Sequence, residues 1–161
     1  MSTELPLFGQ EKRNTCALAC LRMVLAAFGK DVDEKTLEDQ ARMEDEGTHI
    51  GELERLARHF GLVAHVQEAN VERLRQLLTE GKLAIAYIDR AVFTLTPRRR
   101  AKHRLRDARI HTEIPIRVTT TAVTYHDPMP PARVRRSIAL FRSLYERLGG
   151  YCVVCSRPEG A

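Results

Sequence analysis

A cysteine at the start of a predicted helix is the residue in this sequence best placed for chemistry. Asn14 or Thr15 would cap that helix, Gly29 would end it, and one apolar stripe runs along it, formed by Leu18, Leu21, Leu25 and Phe28. Backbone N–H groups and the positive end of the helix dipole would therefore point at Cys16. Both stabilise a thiolate, so we predict a nucleophilic thiol with a lowered pKa at Cys16.

A thiolate that attacks an amide needs a proton donor for the leaving amine, and histidine is the usual one. His111 opens a predicted strand, and Asp127 follows at the end of the next predicted strand. The ends of such a hairpin lie close together, so we predict that His111 is the base and that Asp127 orients it. Spacing alone leaves His126 open as the base. His103 lies in a basic run, where positive neighbours disfavour its charged form.

The segment from Gln10 to Gly29 resembles the signature of the bacteriocin-processing, double-glycine leader peptidases, which are papain-like cysteine peptidases. A Gln stands six residues before the Cys, and an Ala-Cys-Leu core and a Phe-Gly ending follow. Further likeness extends over about residues 5 to 155, in Thr48-His-Ile-Gly51, Leu83-Ala-Ile-Ala-Tyr-Ile88 and Tyr125-His-Asp-Pro128. The strand after His111 is more polar than in the family.

This resemblance implies a role for each of four residues. Cys16 would attack the scissile carbonyl, and Gln10 would donate its amide to the oxyanion beside the Cys16 backbone N–H. His111 would shuttle the proton while Asp127 holds the ring. Members of the family cut after the Gly-Gly pair that ends a leader peptide, and they need no cofactor or metal. The substrate would therefore be a peptide or protein, with an export transporter as a possible partner.

Length and composition suit one domain spanning residues 1–161. The 161 residues are 43% hydrophobic, which allows a sizeable core. No apolar run reaches the ~20 residues of a membrane span, and the N-terminus lacks the features of a secretory signal. We therefore expect a stand-alone cytoplasmic protein without membrane insertion, whose four cysteines stay reduced.

The order of predicted elements indicates an α+β, papain-like fold. Helices dominate the N-terminal half, and most strands follow, which predicts a helical half packed on a mainly antiparallel C-terminal sheet. Strands are predicted at 62–67, 83–88, 114–118, 122–125 and 151–155, and an amphipathic helix at 134–148. The stretch 127–131 is predicted to be a turn.

A basic insert at about residues 90–109 separates the two halves. Eight basic residues face one acid there, whereas the rest of the chain carries 18 basic and 20 acidic residues. The pattern predicts a long hairpin with a basic tip. The insert could be a solvated loop, or it could grip an acidic peptide through Arg98, Arg99 and Arg100. Nucleic acid is the least favoured ligand, because no nucleic-acid motif accompanies the charges and only 6% of residues are aromatic.

Several alternatives remain at this point. Cys16 could be a buried structural thiol, and the four cysteines could hold zinc, although a strand would point Cys152 and Cys155 to opposite faces. Gly149-Gly150 follows a predicted helix and so resembles a double-glycine leader, but a glycine helix cap is the favoured interpretation. In function, the alternatives are a catalytically inactive relative that docks peptides and a thiol-dependent acyl or amide transferase.

Overall fold

The computed structural model describes residues 4–104 and 108–160, and its N-terminal half is mainly helical. The elements of this half are α1 (Cys16–Ala27), α2 (Glu34–Gln40), α3 (Ile50–His59), β1 (Val63–Glu68), α4 (Val71–Thr79) and β2 (Leu83–Asp89). Aspartate and asparagine, which are favoured helix caps, begin two of the helices: Asp33 accepts a bond from the Thr36 N–H, and Asn70 accepts one from the Arg73 N–H.

The C-terminal half supplies the other four strands. It contains a 3₁₀ helix (Arg90–Thr94), α5 (Pro97–Lys102), β3 (Ile110–Val118), β4 (Ala122–Pro128), β5 (Pro131–Ser137), α6 (Ile138–Tyr145), a second 3₁₀ helix (Glu146–Leu148) and β6 (Tyr151–Ser156). All strands join one antiparallel sheet in the order β1-β6-β2-β3-β4-β5. The predicted α+β fold, with helices packed on a mainly antiparallel sheet, is confirmed.

The hydrophobic core has two parts, one on each face of the sheet. Helices α1, α2 and α3 cover one face and contact Ile85, Tyr87, Ile114, Val153 and Cys155. Helices α4 and α6 cover the other face and contact Ala84, Ala86, Ile88, Cys152 and Val154. The split follows from the two-residue period of a strand. Within residues 4–104 and 108–160, no helix has the length and apolar character needed to cross a membrane.

One predicted helix is wrong over its first part. The sequence pattern predicts a helix over 134–148, but residues 131–137 form β5, which pairs with β4. Arg133 and Arg135 are exposed while Arg136 is buried, so strand pairing outweighs helical periodicity there. Helix α6 begins only at Ile138, where the Ser137 hydroxyl accepts a bond from the Leu140 N–H.

The basic insert is also more ordered than a hairpin with a basic tip. Strands β2 and β3 do pair as a hairpin would, but the connection contains the first 3₁₀ helix and α5. Residues 105–107 lie outside the described residues. Asp89, fully buried at the end of β2, accepts bonds from the N–H groups of Ala91 and Arg109 and contacts the His103 ring. This buried acid holds both ends of the insert against the sheet.

Candidate active site

Cys16 is the first residue of α1 and lies half-buried at the edge of a cleft. Thr15 is the N-cap residue, but its hydroxyl bonds the Lys12 backbone and not a helix N–H. Backbone N–H groups of the first helical turn therefore have no side-chain cap. An anion is favoured at such a helix end, because the free N–H groups and the helix dipole both attract negative charge.

His111 and Asp127 meet on neighbouring strands. His111 Nε2 lies 2.8 Å from Asp127 Oδ1, and both residues are buried. The antiparallel pairing of β3 with β4 brings them together across the sheet, although 16 residues separate them along the chain. The Met129 N–H also donates to Asp127 Oδ1, at 2.8 Å. This second bond leaves the carboxylate little freedom to turn away from the imidazole.

The Cys16 thiol is a second hydrogen-bonding partner of the His111 ring. Burial alone would raise the pKa of Cys16, but the hydrogen bond and charge of His111, together with Thr112, lower it. Burial would likewise lower the pKa of His111, yet hydrogen bonds to Asp127 and Cys16 raise it to about 9. Opposite shifts of this kind favour a thiolate–imidazolium pair at neutral pH.

Asp127 keeps its negative charge in this arrangement. Burial would raise the pKa of its carboxyl group, but bonds from His111 and the Met129 N–H, with the charge of Arg90, lower it. Arg90 also donates to the Met129 carbonyl at 2.7 Å and so ties the basic insert to the turn that follows Asp127 and β4. Neither Arg90 nor Thr112 was found from the sequence, because their positions depend on strand pairing.

Gln10 lies near the turn after β4, since its N–H donates to the Pro128 carbonyl at 3.0 Å. Its side-chain amide nitrogen donates to the carbonyls of Lys12 and Arg13, at 2.8 and 3.1 Å. Its amide oxygen is buried without a hydrogen-bond partner among the described residues. An oxyanion role for Gln10 would therefore require its amide nitrogen to give up one of these two bonds, and the role stays a prediction.

His126, the alternative base, contacts neither Cys16 nor Asp127 in any described bond. It directly precedes Asp127 on β4, and neighbouring side chains of a strand point to opposite faces, so His126 points away from the face of Asp127. Burial lowers its pKa, against a raising contribution from the Pro6 backbone, and Nδ1 has no partner among the described residues. The structure thus brings His111, and not His126, to Cys16.

A cleft of about 960 Å³ opens beside Cys16. Its charged lining has two signs: the loop between α2 and α3 provides Glu44, Asp45 and Glu46, whereas the basic lining residues are Lys12, Arg13 and Arg109. The remaining apolar lining comes mainly from Ala17, Ile50, Tyr87, Ala108, Ile110, Leu148 and Tyr151. The size suits a peptide segment in an extended conformation.

The three arginines predicted to bind substrate lie in α5, and none is among the described residues that line the cleft. Arg98 and Arg99 are exposed. Arg100 Nε instead donates to the carbonyls of Val92 and Leu95, at 3.2 and 3.0 Å. Arg100 therefore braces the insert, whereas Arg98 and Arg99 are available to a ligand outside the cleft.

The other three cysteines are buried, and they lie in the two parts of the core. Cys20 and Cys155 belong to the part under α1, but Cys152 belongs to the part under α4 and α6. Burial raises the pKa of Cys152 to about 11 and that of Cys155 to about 12. In residues 4–104 and 108–160, no three His, Cys, Asp or Glu side chains converge as metal ligands would.

Gly149 and Gly150 end the helical segment after β5, as the helix-cap interpretation predicts. Gly149 has a φ of +92°, and a Cβ there would lie 2.6 Å from the Tyr151 ring. The Gly150 carbonyl accepts bonds from the Tyr145 hydroxyl and the Ala69 N–H. The pair is therefore built into the fold, since one glycine supplies a left-handed turn and the carbonyl of the other is fully bonded.

Comparisons with known proteins place this chain in a family. The model of the Peptidase C39 family matches residues 4–105, which include Cys16 and end before His111 and Asp127. No curated protein sequence matches the chain significantly. The match covers more than half of the chain, so it determines the family, while the assignment of His111 and Asp127 rests on geometry alone.

Solved structures of low sequence identity share the fold. A double glycine motif protease from an AMS/PCAT transporter, crystallised in complex with the leader peptide, has a TM-score of 0.73 and 18% identity, covering 98% of this chain and 94% of that chain. A C39-like peptidase from Bacillus anthracis has a TM-score of 0.77 and 16% identity, covering 97% and 96%. The peptidase domain of Streptococcus ComA has a TM-score of 0.70 and 15% identity, covering 96% and 100%. With this papain-like fold and the family match, the chain belongs to the peptidase C39 family.

Proposed function

We propose that this protein is a cysteine peptidase that cuts a precursor peptide after small residues through Cys16, His111 and Asp127. The observation that carries the proposal is that His111 lies 2.8 Å from Asp127 and is also hydrogen-bonded with Cys16. A lowered thiol pKa and a raised imidazole pKa support the same assignment.

The reaction would begin with attack of the Cys16 thiolate on the scissile carbonyl carbon. Protonated His111 then gives its proton to the leaving amine, which departs as the thioester forms. Water attacks the thioester while neutral His111 accepts a proton from it, and the thiolate leaves. Asp127 holds the ring in one orientation through both steps. The Cys16 N–H and the Gln10 amide are the proposed donors to the oxyanion.

The substrate we propose is a leader peptide that ends in Gly-Gly, and the site needs no cofactor or metal for the reaction above. The resemblance to leader peptidases and the double glycine motif of one structural neighbour support this class. Two neighbours are described as parts of transporters, so a separate export transporter is a proposed partner. A cytoplasmic location remains a prediction that fits processing before export.

The test is cleavage of synthetic peptides, each with an amphipathic leader ending in Gly-Gly, followed by mass spectrometry of the products. We expect a single cut after the second glycine, and no cut when both glycines are replaced by valine. Cys16→Ala should abolish cleavage without loss of fold. Cys20→Ala is the matched control, because Cys20 lies one turn along the same helix and should leave cleavage intact. Activity in Cys16→Ala would refute the proposal.

One observation favours a second candidate, a catalytically inactive relative that only docks peptides. The Gln10 amide nitrogen is occupied by two backbone carbonyls and so has no free N–H for an oxyanion. If Gln10 does act in catalysis, Gln10→Ala should lower turnover by about 100-fold, as removal of one oxyanion donor does elsewhere. Peptide binding without cleavage by the unmodified protein would establish the inactive relative.

A further inference from the structure

A buried ion pair joins the strand of His111 to β5 and has no part in the reaction described above. Arg136 donates from one guanidinium nitrogen to both carboxylate oxygens of Glu113, at 2.6 and 2.7 Å. The two side chains are only 4% and 0% exposed. Glu113 belongs to the polar stretch after His111 that departs from the family pattern.

Strand geometry places Glu113 beside the catalytic pair. It follows His111 by two residues on β3, so both side chains point to one face. The pairing of Ile114 with His126 sets Glu113 next to Asp127 across the ladder. The pKa of Glu113 is raised to about 7, mainly by burial and also by the charge of Asp127, while Arg136 and His111 act to lower it. The charges of His111 and Glu113 therefore act on each other.

Arg136 is held in place by aromatic rings. Its guanidinium carbon lies 3.9 Å from the centre of the Tyr125 ring and 4.4 Å from that of the Phe93 ring. Phe93 belongs to the 3₁₀ helix at the start of the basic insert. The insert thus contacts Arg136 on β5, and Arg90 adds a second contact at the Met129 carbonyl, between β4 and β5.

A buried ion pair contributes little net stability, because desolvating both charges offsets their attraction. A pair in this place can still have a large electrostatic effect on a neighbouring imidazole. The proposed reaction requires His111 to stay protonated until the leaving amine departs. Arg136 bonds the carboxylate of Glu113, and the charge of that carboxylate also interacts with His111.

We propose that Glu113 is a positioning residue whose carboxylate, paired with Arg136, stabilises protonated His111 together with Asp127. This inference rests on the proposed function, since it concerns the base of that reaction. The other charged or titratable groups here are Tyr125 and Cys20, whose pKa values are raised by burial and by Glu113, and Arg90, which acts on Asp127. Asp127 and the Cys16 thiolate are the negative charges in contact with His111, and Glu113 adds a third from the same strand.

The experiment is an NMR pH titration of the His111 ring in the full-length protein, with the signal assigned by its loss in His111→Ala. Glu113→Gln should lower the pKa of His111 by about one unit, since a nearby opposite charge shifts a pKa by about 1 to 3 units. Because this variant leaves Arg136 buried and unpaired, the double variant Glu113→Gln/Arg136→Met serves as the folded test. It should unfold cooperatively on heating, as a folded protein does, and its His111 pKa should be lower by about half a unit, because Glu113 shares the strand of His111 whereas Arg136 lies two strands away on β5.

A matched control removes an exposed pair, in Glu72→Gln/Arg75→Met, and should leave the His111 titration unchanged. Glu113→Asp retains the charge and should restore most of the unmodified value. A folded double variant with an unchanged His111 pKa would overturn the inference even if the protein cleaves peptides. A shifted titration in a protein that cleaves no peptide would instead overturn the proposed function and retain the role of Glu113.

Discussion

Two buried histidine–aspartate pairs lie in or beside the basic insert, and they differ in the other groups that each pair contacts. His103 Nε2 lies 2.7 Å from Asp89 Oδ2, and His111 Nε2 lies 2.8 Å from Asp127 Oδ1. The histidine side chains are equally buried, at 7% exposure each. A histidine–carboxylate contact is therefore not by itself a sign of catalysis.

Their surroundings distinguish the two pairs. Asp89 also bonds the Ala91 and Arg109 N–H groups and lies 3.4 Å from Arg147, so its other contacts serve the fold of the insert. The imidazole of His111, in contrast, is hydrogen-bonded with the Cys16 thiol. The third group in contact with a buried histidine–aspartate pair, here the Cys16 nucleophile or the Arg147 cation, therefore determines whether that pair can act in catalysis.

The largest difference is expected when each histidine is removed. His111→Ala should lower kcat by at least about 1,000-fold, because no other group in contact with Cys16 can protonate the leaving amine. His103→Ala should leave kcat within about threefold of the unmodified value, since its ring meets the insert and not the thiol. Peptide cleavage assays at one pH measure both variants. Equal losses in the two variants would remove the distinction between the pairs.

Neutralising Asp127 should mainly reduce activity, whereas neutralising Asp89 should mainly reduce stability. Asp127→Asn should lower kcat by about tenfold or more, because the charge that raises the His111 pKa is lost while the amide can still hold the ring. Asp89→Asn should instead reduce the free energy of unfolding by about 3 kcal/mol, since it weakens several bonds to a fully buried acid. Urea unfolding and cleavage rates measured on the same samples separate these effects. A stability loss confined to Asp127→Asn would contradict the comparison.

The pH dependence of stability and of peptide cleavage should also distinguish the two pairs. The His111 pKa is raised to about 9 from an ordinary value of about 6.5, so its pairing stabilises the fold fully below about pH 6.5 and is lost as pH rises through about 9. Activity should rise with ionisation of Cys16, whose pKa is lowered, and fall as His111 deprotonates near pH 9. The alkaline limb of the kcat/KM profile should stay near pH 9 in His103→Ala and should move to lower pH when Asp127 or Glu113 is neutralised.

The smallest effect is expected at the exposed arginines of the insert. Arg98→Ser with Arg99→Ser should raise KM for an acidic peptide by about two- to fivefold at low salt and leave kcat unchanged, because rim charges act mainly on association. Arg100→Ser should lower stability, since its bonds to the Val92 and Leu95 carbonyls brace the insert. Steady-state kinetics at two salt concentrations test the pair. Identical KM values at both salts would assign these arginines no part in capturing the substrate.

Local patterns predicted most of the N-terminal half. The apolar stripe of α1 and the caps at Asp33 and Asn70 are short-range features, so their helices could be located without knowledge of the fold. β5 could not be located in this way, because its arginines, together with Ala132 and Val134, resemble a helical face until β4 supplies a partner. The ordered insert was missed for a similar reason, since its contacts depend on the buried charge of Asp89.

Sequence alone was enough to identify the candidate reactive groups. They are a cysteine at a helix start, with a family signature around it, and a histidine and an acid at the ends of a predicted hairpin. Those features depend on residue types and on short spacings, which the chain carries wherever it folds. Tertiary structure alone decided which histidine meets the thiol, because the face of a strand and its register determine that contact. It also decided that Glu113 and Arg136 lie beside the base, since a buried ion pair forms only when distant strands bring its charges together.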